Sequence, residues 1–195
     1  MSLKKTTQDL VGERPTPAEL KKLPRTPITV LVDNVRSLDN VGMIFRLCEL
    51  ARVEHLYLSG YTGYPEEAGD QRPSTIIARH NHRITKTAVY AVPHQPWTYI
   101  DDPVPLVKQF KDQGHRLVCL EQTKGSVPYH QVPDASYQLP LVLIVGHERL
   151  GIRDELIDLA DLTVEIPVLG LGNSHNVATA CAVVLYHILA KTGKI

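Results

Sequence analysis

Short apolar runs alternate along this chain with longer stretches of helical periodicity. Residues 28–32 (I-T-V-L-V) are apolar and β-branched, which predicts a strand buried on both faces. Asp39 or Asn40 can cap a helix running to about Ala51, with Val41, Ile44, Phe45, Leu47 and Cys48 near one face. Residues 55–58 read as a second strand, and 60–83 as a long irregular connection. A third strand is expected at 87–92. A helix over 105–113 stops at Gly114, a suitable C-cap. Strands at 116–120 and 141–145, a helix over 152–160 and a strand at 162–166 follow. A last helix starts at Ser174 or Asn176 and runs to about Ala190.

This order predicts an α/β fold, with a mainly parallel sheet sandwiched by helices. The polar, proline-punctuated stretch 1–26 reads as an N-terminal arm with one short helix near 17–23, leaving 27–195 as the folded domain. The last helix is apolar on nearly every side, through Val177, Ala178, Cys181, Val184, Leu185, Ile188 and Leu189. Such a helix needs cover all round, which a second copy of the chain can supply.

Composition excludes several classes. With 195 residues, 43% hydrophobic and 22% charged, the chain suits one ordinary core. No apolar run of about 18 residues exists, so no membrane span is expected. The start has no apolar stretch of the secretory kind, and three widely spaced cysteines read as reduced, buried thiols of a cytoplasmic protein. Equal numbers of basic and acidic residues, 21 each, exclude binding of nucleic acid by bulk charge. The basic residues are nonetheless unevenly placed. Arg72, Arg79, Arg83 and Lys86 share a stretch without an acid, which suits one defined anionic partner.

Candidate chemistry sits at three strand ends, where α/β proteins hold ligands. In the first, Asn40 and Arg46 lie six residues apart, close enough on a helix for both to approach one pocket and position a phosphate or ribose. In the second, Val145 leads into Gly146-His147-Glu148-Arg149-Leu150-Gly151, a glycine-bounded turn that displays Glu148. In the third, Ile166 and Pro167 leave a strand, and Leu169, Gly170 and Gly172 lead to Ser174 and Asn176. Such a loop offers backbone groups to a planar heterocycle, between apolar walls. Leu120 and Glu121, at another strand end, can complete the pocket. A dinucleotide fingerprint is excluded, because Gly170-Leu171-Gly172 has no third glycine in place. The phosphate-loop pattern is missing. His80, His82 and His147 lack the cysteine pairs of a zinc site, so no metal is expected.

Together the three stretches resemble the SpoU (TrmH-like) branch of the SPOUT RNA methyltransferases. Asn40-Val41-Gly42-Met43-Ile44-Phe45-Arg46 matches that family's N-x-G-x-x-x-R. Gly146 to Gly151 matches G-x-E-x-x-G. Ile166-Pro167-Val168 and Ser174-His175-Asn176-Val177-Ala178 are similar to its third motif. The resemblance implies a C-terminal trefoil knot, a homodimer and S-adenosyl-L-methionine as cofactor. The cofactor would be held by Leu120, Glu121, Val145, Gly146, His147, Glu148, Ile166, Pro167, Leu169, Gly170, Ser174 and Asn176. It also implies methyl transfer to a ribose 2′-OH of tRNA or rRNA, with Arg46 and Asn40 at the reacting hydroxyl and Glu148, Ser174 and Asn176 supporting the site. RNA contact then falls to Arg72, Arg79, Arg83 and Lys86, since residues 1–26 are too few for a separate RNA-binding domain. His147, His175 and Ala178 depart from the family pattern. They motivate the alternative of a non-catalytic RNA-binding protein that keeps the fold.

Overall fold

The computed structural model describes residues 4–195; the first three residues of the expected arm lie outside them. The elements in chain order are α1 (Thr7–Gly12), α2 (Pro17–Lys22), β1 (Thr26–Asp33), α3 (Leu38–Leu50), β2 (Val53–Ser59), α4 (Ser74–Ala88) and β3 (Trp97–Ile100). Then come α5 (Val104–Asp112), β4 (Arg116–Leu120), β5 (Val127–Pro128), β6 (Leu141–Val145), α6 (Asp154–Leu159), β7 (Leu162–Glu165) and α7 (Val177–Lys191). The seven strands form one sheet in the order β3-β2-β1-β6-β4-β7-β5, and every pairing is parallel.

Parallel strands covered on both faces need apolar residues at every position. β6 (L-V-L-I-V) is buried throughout, and β1 from Ile28 onward. On one face α3, α4 and α7 cover a core that includes Phe45, Leu56, Ile84, Leu143 and Leu185. On the other, α5 and α6 cover Val107, Leu117, Ile144 and Leu156. All three cysteines are buried and unpaired, and burial drives the Cys119 and Cys181 thiols up to about 12.

α3 and α4 pack with their backbones in close apposition. A Cβ on Gly42 would stand 2.0 Å from Thr87 Oγ1 and 2.3 Å from the Ile84 carbonyl oxygen. Only glycine lets these backbones approach so far, which gives the glycine of the first motif a packing role. α7 buries Ala178, Cys181, Val184, Leu185, Ile188 and Leu189, but leaves Val183 and Tyr186 exposed.

Two sequence expectations fail in the same region. Residues 74–88 form α4 although 60–83 was expected to be an irregular connection, and 87–92 is the end of that helix and a turn, not a strand. The helix signal is real but diluted: Ile76, Ile77, Ile84 and Ala88 fall on one face among basic and polar neighbours. Val89 closes the helix at φ +61°, a left-handed conformation that a β-branched residue rarely adopts. The third strand is instead Trp97–Ile100, a four-residue run after Pro96. The arm carries α1 as well as α2. Its junction is tied down by Arg52, whose guanidinium donates to the Leu23 and Pro24 carbonyls at 2.6 and 3.2 Å.

Candidate functional site

α3 begins two or three residues earlier than the sequence suggested. Ser37 is its N-cap, its Oγ accepting the Asn40 N–H at 3.3 Å. A hydroxyl three residues upstream thus does the capping, and the Asn40 side chain is released for long-range bonds. Its Nδ2 donates to Glu148 Oε1 at 3.0 Å, and its Oδ1 accepts from Asn176 Nδ2 at 2.9 Å. One buried amide therefore joins all three motifs.

Each partner is anchored in turn. The Glu148 carboxylate also accepts the backbone N–H groups of Arg36 and Ser37, both at 3.1 Å. Partial burial pushes the Glu148 carboxyl up, but these donors and the Asn40 amide outweigh it and hold the group below the usual carboxylate range. Asn176 caps α7, its Oδ1 accepting the Ala178 and Thr179 N–H groups at 3.0 and 3.1 Å.

The turn after β6 is equally constrained. His147 and Gly151 exchange backbone hydrogen bonds of 3.1 and 2.9 Å, and a Cβ on Gly146 would lie 2.6 Å from Gly151 O and Ile152 N. Gly151 has φ +75°. Glu121 accepts the Ile152 N–H at 2.9 Å, which ties the end of β4 to this turn. His147 Nδ1 accepts from the Arg149 and Leu150 N–H groups at 2.8 and 3.1 Å. The ring proton then sits on Nε2, and the histidine serves as an internal brace for the turn.

Between these loops, at the C-terminal ends of β4, β6 and β7, lies a cavity of about 260 Å³. Apolar walls come from Leu120, Val145, Ile166, Val177 and Ala180, and polar rim groups from Glu121, Gln122, Glu148, Arg149, Glu165 and Ser174. Three carboxylates against one guanidinium suit a ligand that carries positive charge.

Most of the expected residues converge here: Leu120, Glu121, Val145, Gly146, His147, Glu148, Ile166 and Ser174 all line the cavity. Pro167, Leu169, Gly170 and Asn176 are not among its lining residues. Leu169 projects fully into solvent, at 99% exposure, so it is no wall of this cavity, and nothing lies within 4 Å of where a Gly170 Cβ would stand. Asn176 acts one step back, through Asn40. Arg46 is exposed on α3, is not a lining residue, and has no hydrogen bond or ion pair among the described residues. It shares an exposed helix face with Met43 and Leu50 rather than pointing with Asn40.

From Ser74 onward the basic stretch is the helix α4, and its cations divide. Arg72 is spent internally: it donates to Asp70 and to the Tyr64 and Pro65 carbonyls, and stacks 3.4 Å over the Tyr64 ring. Its guanidinium holds the Asp70 carboxyl down at about 2. Arg83 pairs with Asp39. Arg79 and Lys86 are exposed and make no hydrogen bond or ion pair among the described residues.

Sequence reasoning missed Gln122, whose Nε2 donates to Asn173 O at 3.1 Å across the cavity mouth, and Arg149, Asn173 and His175 in the lining. Gln122 directly follows the expected Leu120-Glu121 pair, and the other three lie inside the second and third motif stretches, which is the signal that could have found them. Among the described residues no group of three or more His, Cys, Asp or Glu is placed to hold a metal ion, and no helix is long and apolar enough to cross a membrane.

Comparison with known proteins agrees with this geometry. A family model described as the SpoU rRNA Methylase family matches residues 27–186. The tRNA (guanosine(18)-2′-O)-methyltransferase of Aquifex aeolicus is 30% identical over 162 residues, covering 82% of this chain and 67% of that protein. A 23S rRNA (guanosine(2553)-2′-O)-methyltransferase of Bacillus subtilis is 25% identical over 168 residues, covering 86% of this chain and 60% of that one. Among solved structures, the A. aeolicus TrmH/SpoU tRNA modifying enzyme superposes with a TM-score of 0.68 at 26% identity, covering 91% of this chain and 84% of its own. The SpoU methyltransferase AviRb of Streptomyces viridochromogenes, solved with AdoMet, shares the fold with a TM-score of 0.67 at 22% identity, over 87% of this chain and 59% of that one.

Proposed function

This chain belongs to the SpoU rRNA Methylase family, and we propose on that premise that it transfers a methyl group from S-adenosyl-L-methionine to a ribose 2′-OH of tRNA or rRNA. The observation that carries the reading is the Asn40 side chain. By bonding Glu148 and Asn176 together, it gathers three separated motifs at one cavity.

The residues present fit the cofactor. Leu120, Val145 and Ile166 offer an apolar slot for a purine, and Glu121, Glu148 and Glu165 give the field a cationic sulfonium needs. When bound, the cofactor supplies an electrophilic methyl group on sulfur. The protein supplies position. Interlocked loops hold the reacting groups in line, a contribution of up to roughly 7–11 kcal/mol in favourable cases. Arg46 supplies a planar guanidinium fork of N–H donors. Its role is to orient a phosphate and stabilise charge developing on the 2′-oxygen.

A homodimer accounts for where Arg46 sits. α3 and α7 pack together, and between them they expose Met43, Leu50, Val183 and Tyr186, at 38–50% exposure. This apolar face, in which Arg46 lies between Met43 and Leu50 along α3, is the surface on which a second copy would dock, and it would present Arg46 to the partner's cavity. The family's trefoil knot belongs to the same proposal, with residues 166–176 as the threaded loop, as does a cytoplasmic location beside the RNA. Of the basic stretch, Arg79 and Lys86 are the groups left to contact phosphate.

The test uses mixed dimers. An Arg46→Ala protein should bind cofactor normally in calorimetry and lose turnover. A cavity-filling Ser174→Trp protein should lose cofactor binding. Mixing the two restores one working site per heterodimer if Arg46 serves the partner. No methyl transfer into unmodified tRNA or rRNA by the wild-type dimer would overturn the proposal.

A further inference from the structure

One aromatic side chain beside the cavity has no structural use. Tyr61 follows β2 and is 57% exposed. Its backbone is held firmly all the same. The Asn34 side chain accepts the Tyr61 N–H at 3.1 Å and donates to Asp33 at 3.2 Å. Gly60 stands at φ +62° with the Asn34 amide 2.1 Å from where a Cβ would sit, so the turn tolerates no side chain there. Two residues in left-handed backbone, Asn34 at +57° and Gly60, thus fix the origin of a ring that is left largely in water.

The ring is aimed at the site. It meets the His147 imidazole edge-on, at a centroid distance of 5.9 Å and an interplanar angle of 78°, and His147 lines the cavity. His147 is itself braced by the two N–H groups of its own turn. The exposed Arg149 lines the same cavity, and the exposed Arg36 and Leu150 are tied to it through their backbone N–H groups, which Glu148 and His147 accept. A backbone-anchored, solvent-facing aromatic beside a cavity rim that carries guanidinium groups is an arrangement on which proteins stack unpaired bases while holding the flanking phosphates.

We propose that Tyr61, backed by His147, is the platform on which the base of the target nucleotide stacks, with Arg36 and Arg149 contacting its phosphates. This rests on the reading of the protein as an RNA methyltransferase and adds to it where the substrate lies: over the β1–β2 side of the cavity. It also gives the histidine at position 147 a reason. A small residue in the second motif would leave the Tyr61 ring without its edge-on support.

The experiment uses the full-length protein, labelled methyl donor and total tRNA and rRNA from cells lacking the gene. Tyr61→Ala should raise KM for RNA about tenfold, as loss of one base-stacking partner does. The kcat should stay within about twofold, and calorimetric affinity for the donor should be unchanged, while Tyr61→Trp restores the low KM. RNA binding without turnover, followed by anisotropy of a labelled tRNA pool, should weaken by the same factor in Tyr61→Ala. An unchanged KM and unchanged RNA binding overturn the proposal, as does a loss that tracks with dimer dissociation or weaker donor binding. A wild-type protein that transfers no methyl but still loses RNA affinity on Tyr61→Ala would sink the enzymatic reading and leave this one standing.

Discussion

Replacing Glu148 by glutamine tests the interlock directly, because the two side chains have the same shape and differ in what they accept. Glu148 Oε1 receives the Ser37 N–H and the Asn40 amide, and Oε2 receives the Arg36 N–H. A glutamine with its oxygen in the Oε1 place keeps the first two bonds and sets an NH₂ against the third donor. Bonds to a charged acceptor contribute about 1.5–3 kcal/mol and neutral ones about 0.5–1.5, so two weakened bonds cost roughly 2 kcal/mol. The opposed donors add roughly 1 kcal/mol, near the low end of the cost of an unmade bond, because Arg36 is exposed and water can reach its N–H. The total is about 3 kcal/mol, which lowers the urea midpoint by about 1–1.5 M at an m-value of 2–3 kcal/mol/M. The pH dependence has a definite sign. The folded carboxyl lies below its usual value of 4.5, so its stabilisation is fully present above that pH and fades as the pH falls through the folded value. The variant has no such titration. Urea titrations of both proteins at pH 7 and at progressively lower pH should show a gap that narrows in acid. Equal midpoints at pH 7, or a gap that does not narrow, would refute the reasoning.

Gly42→Ala should destabilise by about 2–3 kcal/mol or more, since the new methyl meets the Ile84 carbonyl and the helices must separate; a melting temperature equal to wild type would contradict the packing. Val89→Gly should stabilise by roughly 1 kcal/mol, because relief of the left-handed strain exceeds the entropic cost of glycine; differential scanning calorimetry reads it. Arg79→Ala with Lys86→Ala should weaken RNA binding and flatten its salt dependence by up to about two ion equivalents while leaving the melting temperature alone. Arg72→Ala should instead cost stability, as it strips Asp70 and two carbonyls of their donor.

What could be read from the chain followed burial. β1 from Ile28, β4 and β6 are mostly apolar because both faces are covered, and their shortness sets them apart from the equally apolar last helix. The cavity could be placed because strand ends carry polar, glycine-bounded turns, and Leu120, Gly146, Glu148, Ile166 and Ser174 meet there. Reading failed where a side chain's use depends on a distant partner. Arg72 is the exception, since its partner Asp70 stands only two residues upstream, just outside the acid-free stretch, whereas Arg79 has no such neighbour. Nothing local says that Asn40 turns inward to Glu148 while Arg46, on the same helix, faces away. α4 was lost because its apolar positions sit among charges, and Trp97–Ile100 because a more apolar stretch just before it looked the better strand.

The bonds of Asn40 reach across 108 and 136 positions of chain. Contacts so remote in sequence close late, since the connecting backbone must be ordered before they form. In refolding experiments, competence to capture the methyl donor should therefore return only in the slowest phase, after helical ellipticity has recovered. On the ribosome, a nascent chain that has not yet released α7 could make no productive encounter with the donor, so the catalyst switches on as a finished object.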